Sequence, residues 1–157
     1  MRIFRILLSL LIGLNLAANA AAAVPDATIV GPVEADPPGH SSRNSIYAAS
    51  AIELTENEYT EQEYFIEGTA NQYSNPELVN GDVVDSGHRY RTRLIVRRPA
   101  AEDFNGIVIV EWINVTGGPD KDIDWWLSGT HFIRNGYAYV AVSAQQMGID
   151  TMKEWSP

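Results

Sequence analysis

From Ile107 to Ile113 the chain reads IVIVEWI, nearly continuous in apolar residues and broken only by Glu111. A half-buried strand alternates, whereas an unbroken apolar run is the pattern of a strand covered on both faces in a parallel sheet. A second such run, YAYVAV over Tyr137 to Val142, follows a segment with helical spacing from about Ile123 to Arg134. Along that segment Trp126, Thr130 and Ile133 line one face beside Leu127; Asp120 or Asp122 can cap its start, and Asn135-Gly136 supplies its stop. Residues 107 to 142 therefore read as strand, helix, strand, a βαβ crossover expected to be right-handed.

Upstream the pattern changes to alternation. His88 to Arg98 sets Tyr90, Thr92, Leu94 and Val96 on one face and Arg89, Arg91, Arg93 and Arg97 on the other, so one face is expected to be buried and the other wet. An earlier strand-forming stretch runs from Glu63 to Ala70, and the turn-rich NQYSNPELVNGD that follows it reads as a long loop. Glu53, Glu56, Glu58, Glu61, Glu63 and Glu67 offer opposite charge, so the arginines read as cross-strand partners rather than as a basic binding stripe. Mixed strands followed by βαβ place the chain in the α/β class with an antiparallel pair near one edge. After Met147 only GIDTMKEWSP remains, too little for another strand and helix. Two parallel strands with one helix leave an apolar sheet face uncovered, which costs roughly 25 cal/mol per Å² of apolar area. The domain reads as incomplete.

The ends add a compartment. Arg2 and Arg5, an apolar run from Ile6 to Leu16 and then Ala18-Asn19-Ala20 and Ala21-Ala22-Ala23 form a signal peptide, with cleavage after residue 20 or 23. Ser9, Gly13 and Asn15 interrupt the run, and it falls short of the roughly 20 residues of a membrane span, so export to the periplasm or medium without an anchor is expected. Residues 24–45, with Pro25, Pro32, Pro37 and Pro38 and no period, read as an extended segment, and the domain as residues 46–157. Removing Arg2 and Arg5 from the 11 basic residues leaves 9 against 20 acidic ones and moves the net charge from −9 to −11. Such acidity argues against a nucleic-acid partner. Cysteine is absent, which excludes disulfides, a thiolate nucleophile and a cysteine zinc site.

Candidate chemistry is sparse. The turn Asn114-Val115-Thr116-Gly117-Gly118 carries two adjacent glycines, which let backbone N–H groups converge on a negative oxygen or simply make a tight connection. Asp120, Asp122 and Asp124 imitate a calcium loop, but its sixth position is Trp125 in place of glycine and its twelfth His131 in place of glutamate; no metal or cofactor is expected. No G-x-S-x-G elbow occurs: Ser86-Gly87 and Ser128-Gly129 lack the preceding glycine, and Ser143 ends a strand before an alanine. His40, His88 and His131 have no partner suggested by spacing, and Trp112, Tyr137 and Tyr139 fall in runs expected to be core.

The segments YFIEGTANQY, TRLIVRRPA, FNGIVIVEWINVTGG and NGYAYVAVSAQQMGI, in that order, resemble the opening of a family of secreted α/β-hydrolase-domain proteins over about residues 45 to 157. The resemblance implies an eight-strand-type sheet with residues 64–70 and 89–97 as its antiparallel opening pair, 107–113 as its third strand and 137–143 as its fourth, so that this chain is its N-terminal portion. It implies that the turn Asn114–Gly118 supplies one N–H to an oxyanion hole, which one being left open, and that serine, acid and histidine all come later in chain order. The implied activity is hydrolysis of carboxylic esters or related acyl compounds, small-molecule substrates of the full-length form, with this chain inactive alone. The alternative is a complete exported acidic binding module without catalysis.

Overall fold

The computed structural model describes residues 24–34, 46–75 and 80–155; the expected signal peptide, Pro37, Pro38 and His40 lie outside them. Among the described residues one mixed sheet has the order β1-β2-β3-β5-β4, with β1 Thr28–Val30, β2 Tyr59–Tyr73, β3 Val83–Pro99, β4 Val108–Trp112 and β5 Ala138–Val142. Helix α1, Ile123–Arg134, joins β4 to β5, and α2, Gln146–Trp155, follows β5. β4 and β5 are parallel, from Val108↔Ala138 to Trp112↔Val142, and the other pairings are antiparallel. The α/β class, the antiparallel opening pair and the βαβ unit are thus as the apolar pattern dictates.

The face that α1 buries is not the expected one. Trp125 and Gly129 are buried with Phe132 packed beside them, whereas Trp126 and Leu127 are 73% and 80% exposed. Both stripes have helical spacing and lie one residue apart around the helix. Close approach selects between them: a Cβ on Gly129 would meet Ile52 Cδ1 at 2.9 Å and the Trp125 ring at 3.0 Å, so the helix sits down on its smallest residue. The Trp125 ring then lies 5.0 Å from that of Tyr139, and Phe132 stacks on Tyr139 at 6.0 Å. Burying aromatics of this size stabilises the fold by about 1.5–3 kcal/mol each.

The arginine face of β3 is likewise not wet along its whole length. Arg97 is fully buried under α1, its Nε donating to Glu61 Oε1 at 2.6 Å, Nη2 to the Ala48 carbonyl at 3.0 Å and Nη1 to Asp122. Its guanidinium lies 4.6 Å over the Trp125 ring. Arg93 is also buried and donates to Glu63 and to the Tyr47 carbonyl. Cross-strand pairing with glutamates is present as expected, Arg91 with Glu67 included at 3.5 Å. What alternation alone missed is that pairing with acidic side chains lets arginines take core positions beside Ile95. Only the distal stretch of β3, with Arg89 and Arg91, is exposed.

β4, expected to be covered on both faces, is covered on one. Ile109, Glu111 and Ile113 face α1, while Val108, Val110 and Trp112 are 49%, 65% and 68% exposed on the other side. Trp112 is therefore not a core residue. β4 is an edge strand, and among the described residues both helices lie on the opposite face: α2 meets Asp120 through Gly148 and Tyr47 through Trp155. The residues after β5 thus form one helix, which Gln146 and Met147 start, and among the described residues no further strand follows it. Two further differences concern lengths. β2 runs on through residues 71–73, the first of the segment expected to be a loop, and β3 starts at Val83, directly after that segment, with Ser74 N–H donating to the Asp82 carbonyl at 2.8 Å. β1 forms inside the extended segment by pairing Thr28–Val30 with Glu67–Phe65, too short a run to show a period.

Candidate functional site

The turn after β4 is held by its own backbone. Asn114 and Lys121 form an isolated antiparallel bridge, with Lys121 N–H donating to the Asn114 carbonyl at 2.8 Å and Asn114 N–H to the Lys121 carbonyl at 3.2 Å. Inside it, Thr116 N–H donates to Asn114 Oδ1 at 2.8 Å and Gly118 N–H to the Val115 carbonyl at 2.9 Å. Gly117 and Gly118 have φ of 91° and 104°, a region that side chains other than glycine's rarely occupy. Lys121 Nζ, 2.9 Å from the Thr116 carbonyl, closes the loop from outside. The N–H groups of Val115 and Gly117 have no hydrogen-bond partner among the described residues. They are two donors in a constrained turn at the carboxyl end of a parallel strand.

Beneath the turn lies a buried polar pair. Asp120 is 4% exposed and Ser143, directly after β5, is 1% exposed; Ser143 Oγ donates to Asp120 Oδ2 at 2.5 Å. Ser143 N–H donates to the Arg93 carbonyl at 3.0 Å, and its own carbonyl accepts from Thr92 Oγ1, so the serine is pinned from both sides. Asp120 Oδ1 is buried without a hydrogen-bond partner and rests where a Cβ on Gly148 would stand, with Val115 Cγ1 against the same glycine. Gln145 Nε2 donates to the Ile113 carbonyl at 2.9 Å and ties the start of α2 to the end of β4. Ser143 is thus a buried donor to a carboxylate with no imidazole attached, which is not the arrangement of an activated nucleophile.

A second pair, Glu111 with Tyr139, sits deeper. Glu111 Oε2 accepts the Tyr139 hydroxyl and, at 3.1 Å, the N–H of Asp124 in the first turn of α1. Burial, and then the hydrogen bond and charge of Glu111, push the Tyr139 hydroxyl far above the ordinary tyrosine value. The start of α1 is therefore satisfied by Glu111 rather than by a local cap. Asp122 does occupy the N-cap position, but its carboxylate is turned to Arg97, and Asp120 is turned to Ser143.

Of the remaining sequence candidates, His88 lies within β3 and pairs with Asp85 at 3.2 Å, a partner that spacing did not suggest, while His131 lies in the last turn of α1 beside Asn135. Among the described residues neither histidine bonds a serine, and no group of histidine and acidic side chains is arranged to hold a metal ion. An open groove of about 590 Å³, lined by Ser50, Glu53, Thr55, Tyr59, Glu61 and Gln62 among others, contains no residue of the turn. Its Ser50 Oγ already accepts from Trp125 Nε1 at 3.0 Å.

A mixed sheet opening with antiparallel strands, passing into βαβ and carrying a glycine turn after the first parallel strand, defines an α/β protein of the hydrolase type. The family model of the alpha/beta hydrolase domain matches residues 29–157, and the chain belongs to that family. No curated protein and no solved structure matches the chain. Sequence reasoning missed Glu111, the Asp120–Ser143 pair and the burial of Arg93 and Arg97, though it expected arginine–glutamate pairing. A lone charge inside the run IVIVEWI was the available signal for Glu111. For Asp120 and Ser143, 23 residues apart, no spacing rule offered one.

Proposed function

We propose that this chain provides the opening of the sheet and one oxyanion-hole donor of an exported serine hydrolase acting on carboxylic esters or related acyl compounds. The nucleophilic serine, the acid and the histidine come from further polypeptide that docks along β4. The reading rests on membership of the family and, as the single carrying observation, on the turn after β4. There Thr116 and Gly118 spend their N–H groups inside the loop, and Val115 and Gly117 keep theirs open.

In the reaction, the histidine takes the serine hydroxyl proton as Oγ adds to the ester carbonyl, and the carbonyl oxygen becomes an oxyanion. The Val115 or Gly117 N–H donates to that oxygen together with the N–H of the residue after the nucleophile. The alcohol leaves with the histidine's proton, and water repeats the sequence to release the acid. Preorganisation is what this chain adds: the positive φ values of Gly117 and Gly118 are set before substrate arrives.

The uncovered face of β4, with Val110 and Trp112 exposed, supports the docking part of the reading, because parallel strands are ordinarily covered on both faces. The test is fluorophosphonate labelling and short-chain ester hydrolysis by the complete protein and by this chain alone. Labelling and turnover by the complete protein, with none by the chain alone, are expected. A complete protein that neither labels nor hydrolyses any short-chain ester refutes the assignment. The same result, with this chain monomeric and cooperatively folded, is the outcome of an exported acidic binding module.

A further inference from the structure

We infer that Asp120 and Ser143 are positioning residues for the oxyanion turn, acting through it rather than on substrate; the inference rests on the hydrolase reading above. The turn 114–118 is exposed along one side, so its position is set by what holds its two ends. Its return limb is Asp120-Lys121, and Lys121 is bridged to Asn114. Asp120 anchors this limb to the sheet by its side chain, through Ser143 Oγ at 2.5 Å, and just beyond the limb Asp122 is held by Arg97 of β3. Ser143 in turn is fixed by β3 on both its backbone groups, through Arg93 and Thr92.

The anchor is sealed from above. Asp120 Oδ1 occupies the space a side chain on residue 148 would fill, so α2 can cross here only with glycine, and Val115 Cγ1 is packed against the same point. Val115, whose N–H is one of the two open donors, therefore packs on α2 at the same glycine as the Asp120 carboxylate. With its other oxygen buried and unpartnered, the Asp120 carboxylate depends on Ser143 Oγ for its side-chain hydrogen bond, and losing that bond would leave it buried with none. Displacing the return limb by about 1 Å would carry the donor out of line with the oxyanion, a misplacement worth about 100-fold in rate.

The test uses the complete protein with Ser143→Ala, Asp120→Ala and the near-isosteric Asp120→Asn, which keeps an acceptor for Ser143 Oγ. Turnover is normalised to the number of fluorophosphonate-labelled sites, so that misfolded molecules are not counted. Ser143→Ala and Asp120→Ala are expected to lower kcat per labelled site about 10- to 100-fold with KM within about two-fold, and Asp120→Asn to recover most of it. Unchanged kcat per labelled site in both alanine variants overturns the inference, whatever happens to Tm. Amide exchange at Gly118 and Lys121, whose N–H groups donate inside the turn, gives a readout independent of activity. Faster exchange in Ser143→Ala supports the anchoring role and unchanged exchange overturns it. If the unsubstituted protein neither labels nor turns over ester, it is the hydrolase reading that has failed, and the exchange measurement still decides the anchor.

Discussion

Tyr139 gives its hydroxyl hydrogen to Glu111 beneath the first turn of α1, and the same carboxylate oxygen accepts the Asp124 N–H at 3.1 Å. One side chain thus joins β4, β5 and the helix between them. Tyr139→Phe removes a donor and leaves a buried carboxylate short of one bond, for an expected loss of about 1–3 kcal/mol in chemical denaturation. Glu111→Ala should cost more, because the helix start loses its acceptor as well. Equal and negligible losses would mean that the pair contributes nothing to the fold.

Arg97 is the charge centre of the core. With Glu61 and Asp122 both on its guanidinium and no exposure, Arg97→Ala is expected to destabilise by about 3–5 kcal/mol, since two carboxylates lose their partner. Replacing Arg97, Glu61 and Asp122 together by apolar residues of similar volume should recover most of that loss. A single variant within about 0.5 kcal/mol of the parent, measured by denaturant unfolding, would contradict the buried-hub description.

The tyrosines give a pH dependence with a definite sign. Burial raises the Tyr59 hydroxyl, with Asp103 adding to it, and burial with Glu111 raises that of Tyr139. A group whose folded value is raised holds its contribution to stability below its unfolded value, about 10 for tyrosine, and loses it as the pH climbs above that. Stability should therefore be flat with respect to these groups through neutral pH and fall in the alkaline range. In phenolate absorbance, Tyr139 should ionise only as the fold opens, and a titration in which all tyrosines ionise while near-UV dichroism stays intact would refute this.

The bare side of β4 can be measured directly. Val110→Lys with Trp112→Ser should reduce binding of an apolar dye by this chain while changing its stability by under about 0.5 kcal/mol per substitution, because both side chains are largely exposed. In the complete protein the same pair should lower both yield and ester turnover. Undiminished dye binding would place the exposed apolar surface elsewhere.

Much of this fold can be read from apolar runs. IVIVEWI and YAYVAV mark the parallel strands, and α1 spans Ile123–Arg134 as its spacing requires. What periodicity could not decide is which side of an element is covered. Trp125 against Trp126 is a choice of one residue made by the close approach at Gly129, and the burial of Arg93 and Arg97 depends on acids delivered by β2 and by the residues before α1. The glycine turn was legible because two adjacent glycines are a local signal. Its anchor was not, because Asp120 and Ser143 meet only after β5 has been laid down.

β3 and β4 follow one another in the chain with residues 100–107 between them, yet they do not pair with each other, because β5 lies between them. Assembly therefore cannot proceed strand by strand. The β2–β3 hairpin can close as soon as it is made, but β4 then has no partner until α1 has wound and returned residues 138–142 into the gap. During synthesis the waiting period is set by the 25 residues from Ile113 to Tyr137, through which an apolar strand stays open at both edges. Timing is thus written into the topology: β5 is the keystone, and translation slowed before it would prolong the interval in which β4 can pair wrongly.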